Sequence, residues 1–166
     1  MDRAGQVSYS VPQRVLHWAT AVLVLFNLLL SDGMEEWSHA IHKLGSATAD
    51  QIASANIHAY VGIGILVLVA LRLIFRATTG VPPASNEEPA IFQLAAKVAH
   101  FALYALLIGM PFTGIGAYYF GNGTAGYIHA DVLKVVLWVL LAGHVGGALA
   151  HQFYWKTNVL RRMTVG

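Results

Sequence analysis

Four long apolar stretches separated by shorter polar ones set the plan of this chain. The last, residues 128–155, runs for about 28 residues with almost no charge, long enough to cross a bilayer with some tilt. The others cover about 13–30, 57–76 and 92–120. The punctuation between them is helical. Ser10-Val11-Pro12-Gln13 carries a Ser cap, an early Pro and a Gln three residues after the Ser, the signature of a helix start. Residues 1–6 are polar and expected to fray. Residues 31–56 read as an extramembrane loop, with an amphipathic segment from Trp37 to Leu44 that predicts a short surface helix. The connector Thr79-Gly80-Val81-Pro82-Pro83 with Ser85-Asn86-Glu87-Glu88-Pro89 cannot continue a helix. Pro111 with Gly109 and Gly114 predicts a kink in the third span, and Tyr118, Tyr119 and Phe120 form an aromatic belt at its end. Residues 121–126 read as a short loop. The fold class expected is an all-α membrane protein, one integral domain over residues 1–166.

Composition agrees. Of 166 residues 57% are hydrophobic and 11% charged, which is membrane composition rather than a soluble core. A formal charge of +2, with no basic cluster interleaved with aromatics, gives no basis for nucleic-acid binding. The absence of cysteine excludes disulfides, iron–sulfur clusters, thiolate haem ligation and covalent c-type haem. The first apolar run ends in Ser31-Asp32-Gly33-Met34-Glu35 instead of a small-residue cleavage site, so it is expected to be a retained span. Eight of the ten Lys and Arg residues (Arg3, Arg14, Arg72, Arg76, Lys97, Lys156, Arg161, Arg162) fall on one side of the predicted spans, with Lys43 and Lys134 on the other. By the positive-inside rule both termini are cytoplasmic.

The candidate chemistry lies in the eight histidines. An imidazole in hydrocarbon is costly unless it faces the bundle and has a partner. His129, His144 and His151 share the last span. His144 and His151 are seven residues apart on one face, and the 15 residues from His129 to His144 place them about 22 Å apart along the axis. By depth, His58 and His129 lie toward the outer face, His17, His100 and His151 toward the inner, and His144 on the inner side of the middle. Opposed imidazoles on facing helices are what bis-histidine haem iron needs. Gly62, one turn after His58, offers bare helix surface for a flat ring or a close helix contact. His39 and His42, three apart in the first loop, read mainly as solvated side chains.

Several segments, taken in order, resemble bacterial cytochrome b561 proteins. They are Arg14-Val15-Leu16-His17-Trp18, then His58-x-x-x-Gly62, then Arg72-Leu73-Ile74-Phe75-Arg76 with its double proline. His100-Phe101-Ala102-Leu103-Tyr104 leads to Met110-Pro111-Phe112-Thr113-Gly114. His144-x6-His151 leads to Trp155-Lys156-x-Asn158-x-Leu160-x-Arg162-Met163. The resemblance implies a four-transmembrane-helix bundle with two haem b groups in its core. It implies that His17 and His144 ligate the cytoplasmic-side haem iron and His58 and His129 the outer one. His100 and His151, with Lys97 close by, would line a quinone pocket. The interval from His129 to His144 is one residue longer than is usual in that family. A bulge, a helix end at His129, or His42 acting instead would absorb it. Depth counting alone sets His151 against His17, whereas the resemblance selects His144.

The resemblance implies a transmembrane cytochrome b of the bacterial inner membrane, passing electrons from an outer, periplasmic donor to ubiquinone. Two alternatives stand beside it: a superoxide oxidase, delivering the electron of superoxide to ubiquinone, and the membrane-anchor cytochrome subunit of a larger dehydrogenase. Superoxide is an anion, and the outer segments hold Asp32, Glu35, Glu36, Asp50 and Asp131 against Lys43 and Lys134. That balance gives a cationic redox protein at least equal standing as donor. A haem-free metal or proton carrier would need a carboxylate-rich path through the membrane, which the spans do not carry.

Overall fold

The computed structural model describes residues 8–83, 89–157 and 159–165. Residues 1–6 with Arg3, the connector residues Ser85, Asn86, Glu87 and Glu88, and Asn158 of the C-terminal motif lie outside the described residues. The described chain is helical: α1 (Val11–Leu29), α2 (Asp32–Leu44), α3 (Ala49–Thr79), α4 (Ala90–Phe120), α5 (Gly123–Phe153) and α6 (Val159–Thr164). α3, α4 and α5 are each long and apolar enough to cross a membrane. α1 together with α2, which is bent 44° from it, makes up to a fourth crossing.

The helix ends follow from local chemistry. At α1 the Gln13 Oε1 accepts from the Ser10 backbone N–H at 3.0 Å. Pro12 sits in the first turn, where its missing N–H has no partner to lose. The same Gln13 side chain, buried, donates to the Gly80 carbonyl at 2.8 Å and ties the start of α1 to the end of α3. The segment read as a loop over 31–56 is mostly helix. α2 fills 32–44 and ends at Gly45 with φ 72°, the left-handed region that favours glycine. α3 then begins at Ala49, eight residues ahead of its apolar run, because Thr48 and Gln51 form a capping box: the Thr48 N–H donates to Gln51 Oε1 at 2.9 Å and the Gln51 N–H to Thr48 Oγ1 at 3.3 Å. The loop expected at 121–126 is likewise shorter. Gly121, at φ 63°, ends α4, and Asn122 caps α5 by accepting from the Ala125 N–H at 3.0 Å. α4 stays helical on both sides of Pro111.

Helices adjacent along the bundle pack on each other: α1 on α3, α2 on α3, α3 on α4, and α4 on α5. One pole is closed by α6, whose Thr164 and Met163 carbonyls accept from Arg14 Nη1 at 3.0 Å and Trp18 Nε1 at 2.9 Å. Arg162 Nη1 donates to the Pro83 carbonyl at 3.0 Å, and the Phe92 and Trp155 rings meet tilted at 56° with centres 5.0 Å apart. At the other pole Trp37 packs edge-on against Tyr118 at 4.6 Å, and Tyr118 donates to Asn56 Oδ1 at 2.9 Å. Between the poles lies an apolar plug of Val24, Ile65, Val69, Leu103, Leu106, Leu107 and Leu137. Large apolar side chains such as Val22, Ile74 and Val139 face outward, as the bilayer as solvent requires.

α2 lies close on α3 at Gly33, where an added Cβ would meet the Ser54 Cβ at 2.5 Å. Gly33→Ala is therefore expected to push α2 off α3, at about 1–3 kcal/mol for an overpacked contact. Thermal unfolding in detergent, with protease cleavage at Gly45 as a second readout, checks this: cleavage should quicken in the variant.

Candidate functional site

Four half-buried histidines meet in two pairs, one above the plug and one below it. Toward the α2 pole, His58 on α3 faces His129 on α5, with ring centres 6.1 Å apart and ring planes at 77°. Toward the α6 pole, His17 on α1 faces His144 on α5, also at 6.1 Å, with planes at 55°. A metal ion held at about 2 Å from each of two imidazole nitrogens, with roughly 1 Å more from each nitrogen to its ring centre, separates the rings by about 6 Å. Both pairs have that separation.

His129 is the more firmly held of the α2-pole pair. Its Nδ1 donates to the Met110 carbonyl at 2.8 Å, with Thr113 Oγ1 3.2 Å away, so Nδ1 is committed to α4 and Nε2 is the ring nitrogen left for a ligand. The ring lies against bare helix at Gly114, where an added Cβ would meet His129 Cε1 at 3.1 Å. His129 also stands in a π-helical segment, Ile128–Leu133, inside α5. A π turn takes up one extra residue. Fifteen residues of straight α-helix would turn His129 about 60° past the bearing of His144. With one residue absorbed the interval behaves as fourteen and ends about 40° short, a change of about 100°. A bulge thus sits in the interval whose length called for one. His42, the other residue considered for this role, is exposed on α2, as is His39.

On the opposite side His58 has its carbonyl bonded by Asn27 Nδ2 at 3.1 Å. Gly62, one turn on, faces that amide, with an added Cβ 3.7 Å from Asn27 Nδ2. It therefore serves the close helix contact between α1 and α3. His58 Nδ1 and Asn27 Oδ1 are both buried without a partner among the described residues.

The α6-pole pair sits among more polar groups. Arg72 Nη2 lies 2.9 Å from His17 Nδ1, and its guanidinium carbon 5.4 Å from the Tyr104 ring centre. Arg72 has no carboxylate partner among the described residues. His100 on α4 stands edge-on to His144 at 5.2 Å and donates from Nδ1 to the Ala96 carbonyl at 2.6 Å. At Gly143 and Gly147, flanking His144 on α5, an added Cβ would meet nothing within 4 Å, so the helix surface there is bare.

Depth counting set His151 against His17, whereas the ring that faces His17 in the structure is His144. His151 belongs to the α6 pole, its Nδ1 2.8 Å from Thr157 Oγ1 and its ring 5.0 Å from Trp155. α5 runs on for nine residues after His144, so its last histidine lies beyond the level of His17. His100 and His151 accordingly occupy different layers, and Lys97 is exposed one turn before His100. Asn27, Thr113 and the Met110 carbonyl were missed as site groups. The signal for Asn27 was present, an amide inside an otherwise apolar run. No three His, Cys, Asp or Glu side chains converge as a protein-only metal site would, among the described residues.

Comparison with known proteins gives a family. The profile of prokaryotic cytochrome b561 matches residues 8–166. The chain is 30% identical over 155 residues to a protein named cytochrome b562 from Cereibacter sphaeroides, covering 93% of this chain and 94% of that one. It is 26% identical over 175 residues to a probable superoxide oxidase from Yersinia pestis, covering 93% and 94%. It is 25% identical over 175 residues to cytochrome b561 homolog 1 of Escherichia coli K12, covering 93% and 96%.

The π turn yields a prediction. Deleting Ala130 removes the extra residue and returns the segment to α-helix, so His129 keeps its bearing. Inserting an alanine after Val139 instead turns His129 about 100° away from its present bearing relative to His144. Haem per polypeptide in purified protein is expected to survive the deletion and fall in the insertion variant.

Proposed function

The chain belongs to the prokaryotic cytochrome b561 family of membrane b-type cytochromes, and from that premise we propose that it carries electrons across a bacterial inner membrane, from an outer donor to quinone, through two haem b groups. The single observation that carries this reading is the pairing of four imidazoles at two levels with the same 6.1 Å separation. Haem iron supplies one-electron redox chemistry when bound. His58 and His129 hold the outer iron, and His17 and His144 the inner one. The bundle has four spans with both termini cytoplasmic, which puts α6 and Arg14, Arg72, Arg76, Lys97 and Arg161 on the inner side. Gly143 and Gly147 leave room beside His144 for a flat ring. Between the two levels the plug around Val69 and Leu137 excludes water.

Reduction of quinone to quinol takes two electrons and two protons, one proton to each oxygen. His100 is the side chain placed to meet a quinone oxygen. Its ring borders His144, and its Nδ1 is committed to Ala96, which leaves Nε2 to act. Lys97 and His151, nearer the aqueous pole, pass protons inward. Ubiquinone is the acceptor that best fits the resemblance.

The donor is the point on which two readings part. One relative is named a probable superoxide oxidase, which makes superoxide a candidate donor here. Against it, α2 presents Asp32, Glu35 and Glu36 on the outer side, and Lys134 is engaged by Glu35 at 3.6 Å. That surface favours a small basic redox protein.

Two expected outcomes test the proposal. Alanine at His17, His58, His129 or His144 should each leave about half the wild-type haem per polypeptide, while His39→Ala and His42→Ala leave all of it. Pyridine haemochrome assay reads this, and a wild type with one haem would falsify the two-centre reading. For the donor, the rate with a basic redox protein should fall steadily as ionic strength rises, through screening of attraction, and the rate with superoxide should not. Stopped-flow reduction at several salt concentrations separates the two.

A further inference from the structure

We propose that Asn27 is the positioning residue of the outer iron site, holding His58 by its main chain and its imidazole together. This rests on the assignment of His58 as an iron ligand made above. Asn27 lies in the apolar run of α1, where an amide has no solvent to turn to. Its Nδ2 donates to the His58 carbonyl at 3.1 Å. Gly62 lies beside that amide, where an added Cβ would stand in ordinary contact with Nδ2 at 3.7 Å.

The other half of the amide is unsatisfied. Asn27 Oδ1 is buried without a partner among the described residues, and so is His58 Nδ1. An amide oxygen can only accept. A histidine that gives Nε2 to a metal carries its proton on Nδ1 and must donate it. The site therefore contains one buried acceptor and one buried donor, on two residues already bonded to each other. A hydrogen bond between them, direct or through one water, satisfies both. The opposite ligand shows the same need already met, because His129 Nδ1 donates to the Met110 carbonyl at 2.8 Å. Asn27 does for His58 on α1 what that carbonyl does for His129 on α4.

An acceptor on Nδ1–H makes the imidazole a stronger donor to iron and favours the oxidised state. The experiment is a redox titration of haem absorbance in the full-length protein, comparing wild type, Asn27→Leu and Asn27→Asp. The outer component is identified as the one that His58→Ala lacks. Asn27→Leu removes the acceptor, and about tenfold less preference for oxidised iron raises the outer midpoint by about 59 mV for one electron. Asn27→Asp keeps the acceptor, strengthens it, and lowers the outer midpoint. The inner midpoint stays put in both. Displacement of both variants in the same direction, or no displacement, overturns the proposal. Where Asn27→Leu does not accumulate, Asn27→Asp decides alone, an unchanged or raised midpoint overturning it. A wild type without two separable components would instead count against the di-haem reading on which the proposal stands.

Discussion

An imidazole surrounded by hydrocarbon must find a partner, and that constraint shapes this bundle. Four rings enter the apolar region from three helices, and each is turned inward toward another ring. α1 and α3 contribute one histidine apiece, and α5 supplies both partners. α4 carries neither half of a pair but organises both levels. At one end its Met110 carbonyl, Thr113 and Gly114 seat His129. At the other, Tyr104 lies beneath Arg72 and His100 abuts His144. Packing of α1 on α3, and of α4 on both α3 and α5, holds together the helices that carry the rings.

The parts of this arrangement that were legible in the sequence are those encoded by residues close together in the chain. Long apolar runs gave the main helices, Ser10 with Gln13 gave the start of α1, and the amphipathic segment after Trp37 gave a surface helix. The start of α3 is also local, a Thr48–Gln51 box, but it lies in a polar segment ahead of the apolar run that marks the span. What was not legible depends on how helices sit against one another. Counting residues from each helix end treats those ends as level. α5 extends past α1 before turning at Thr157 toward α6, and so the count put His151 where His144 stands.

The π segment shows the same limit in a different form. Ile128–Leu133 contains no glycine or proline to announce a distortion, and its composition is compatible with plain α-helix. Only the interval to His144, one residue longer than usual in the family, hinted at it. The physical reason becomes visible with α4 in place. His129 is tethered at Nδ1 to Met110 and seated on Gly114, while the following part of α5 is fixed by Leu137 in the plug. Two fixed points separated by one residue too many leave the helix to widen between them, and a π turn is the least disruptive way to do so.

On the proposed reading the two levels also differ in charge, and the difference bears on direction. At the inner level a guanidinium lies 2.9 Å from a ligand ring with no carboxylate to offset it among the described residues. At the outer level the groups around the rings are neutral, a main-chain carbonyl on His129 Nδ1 and an amide on the His58 carbonyl, and the nearby Lys134 is engaged by Glu35. An uncompensated positive charge in a low-dielectric interior favours whichever state of its neighbour holds the extra electron. The polarity of the inner end therefore makes it the better electron acceptor. A cofactor pair placed in these sites would pass electrons downhill from the acidic outer pole to the basic inner one, where His100, Lys97 and His151 lie.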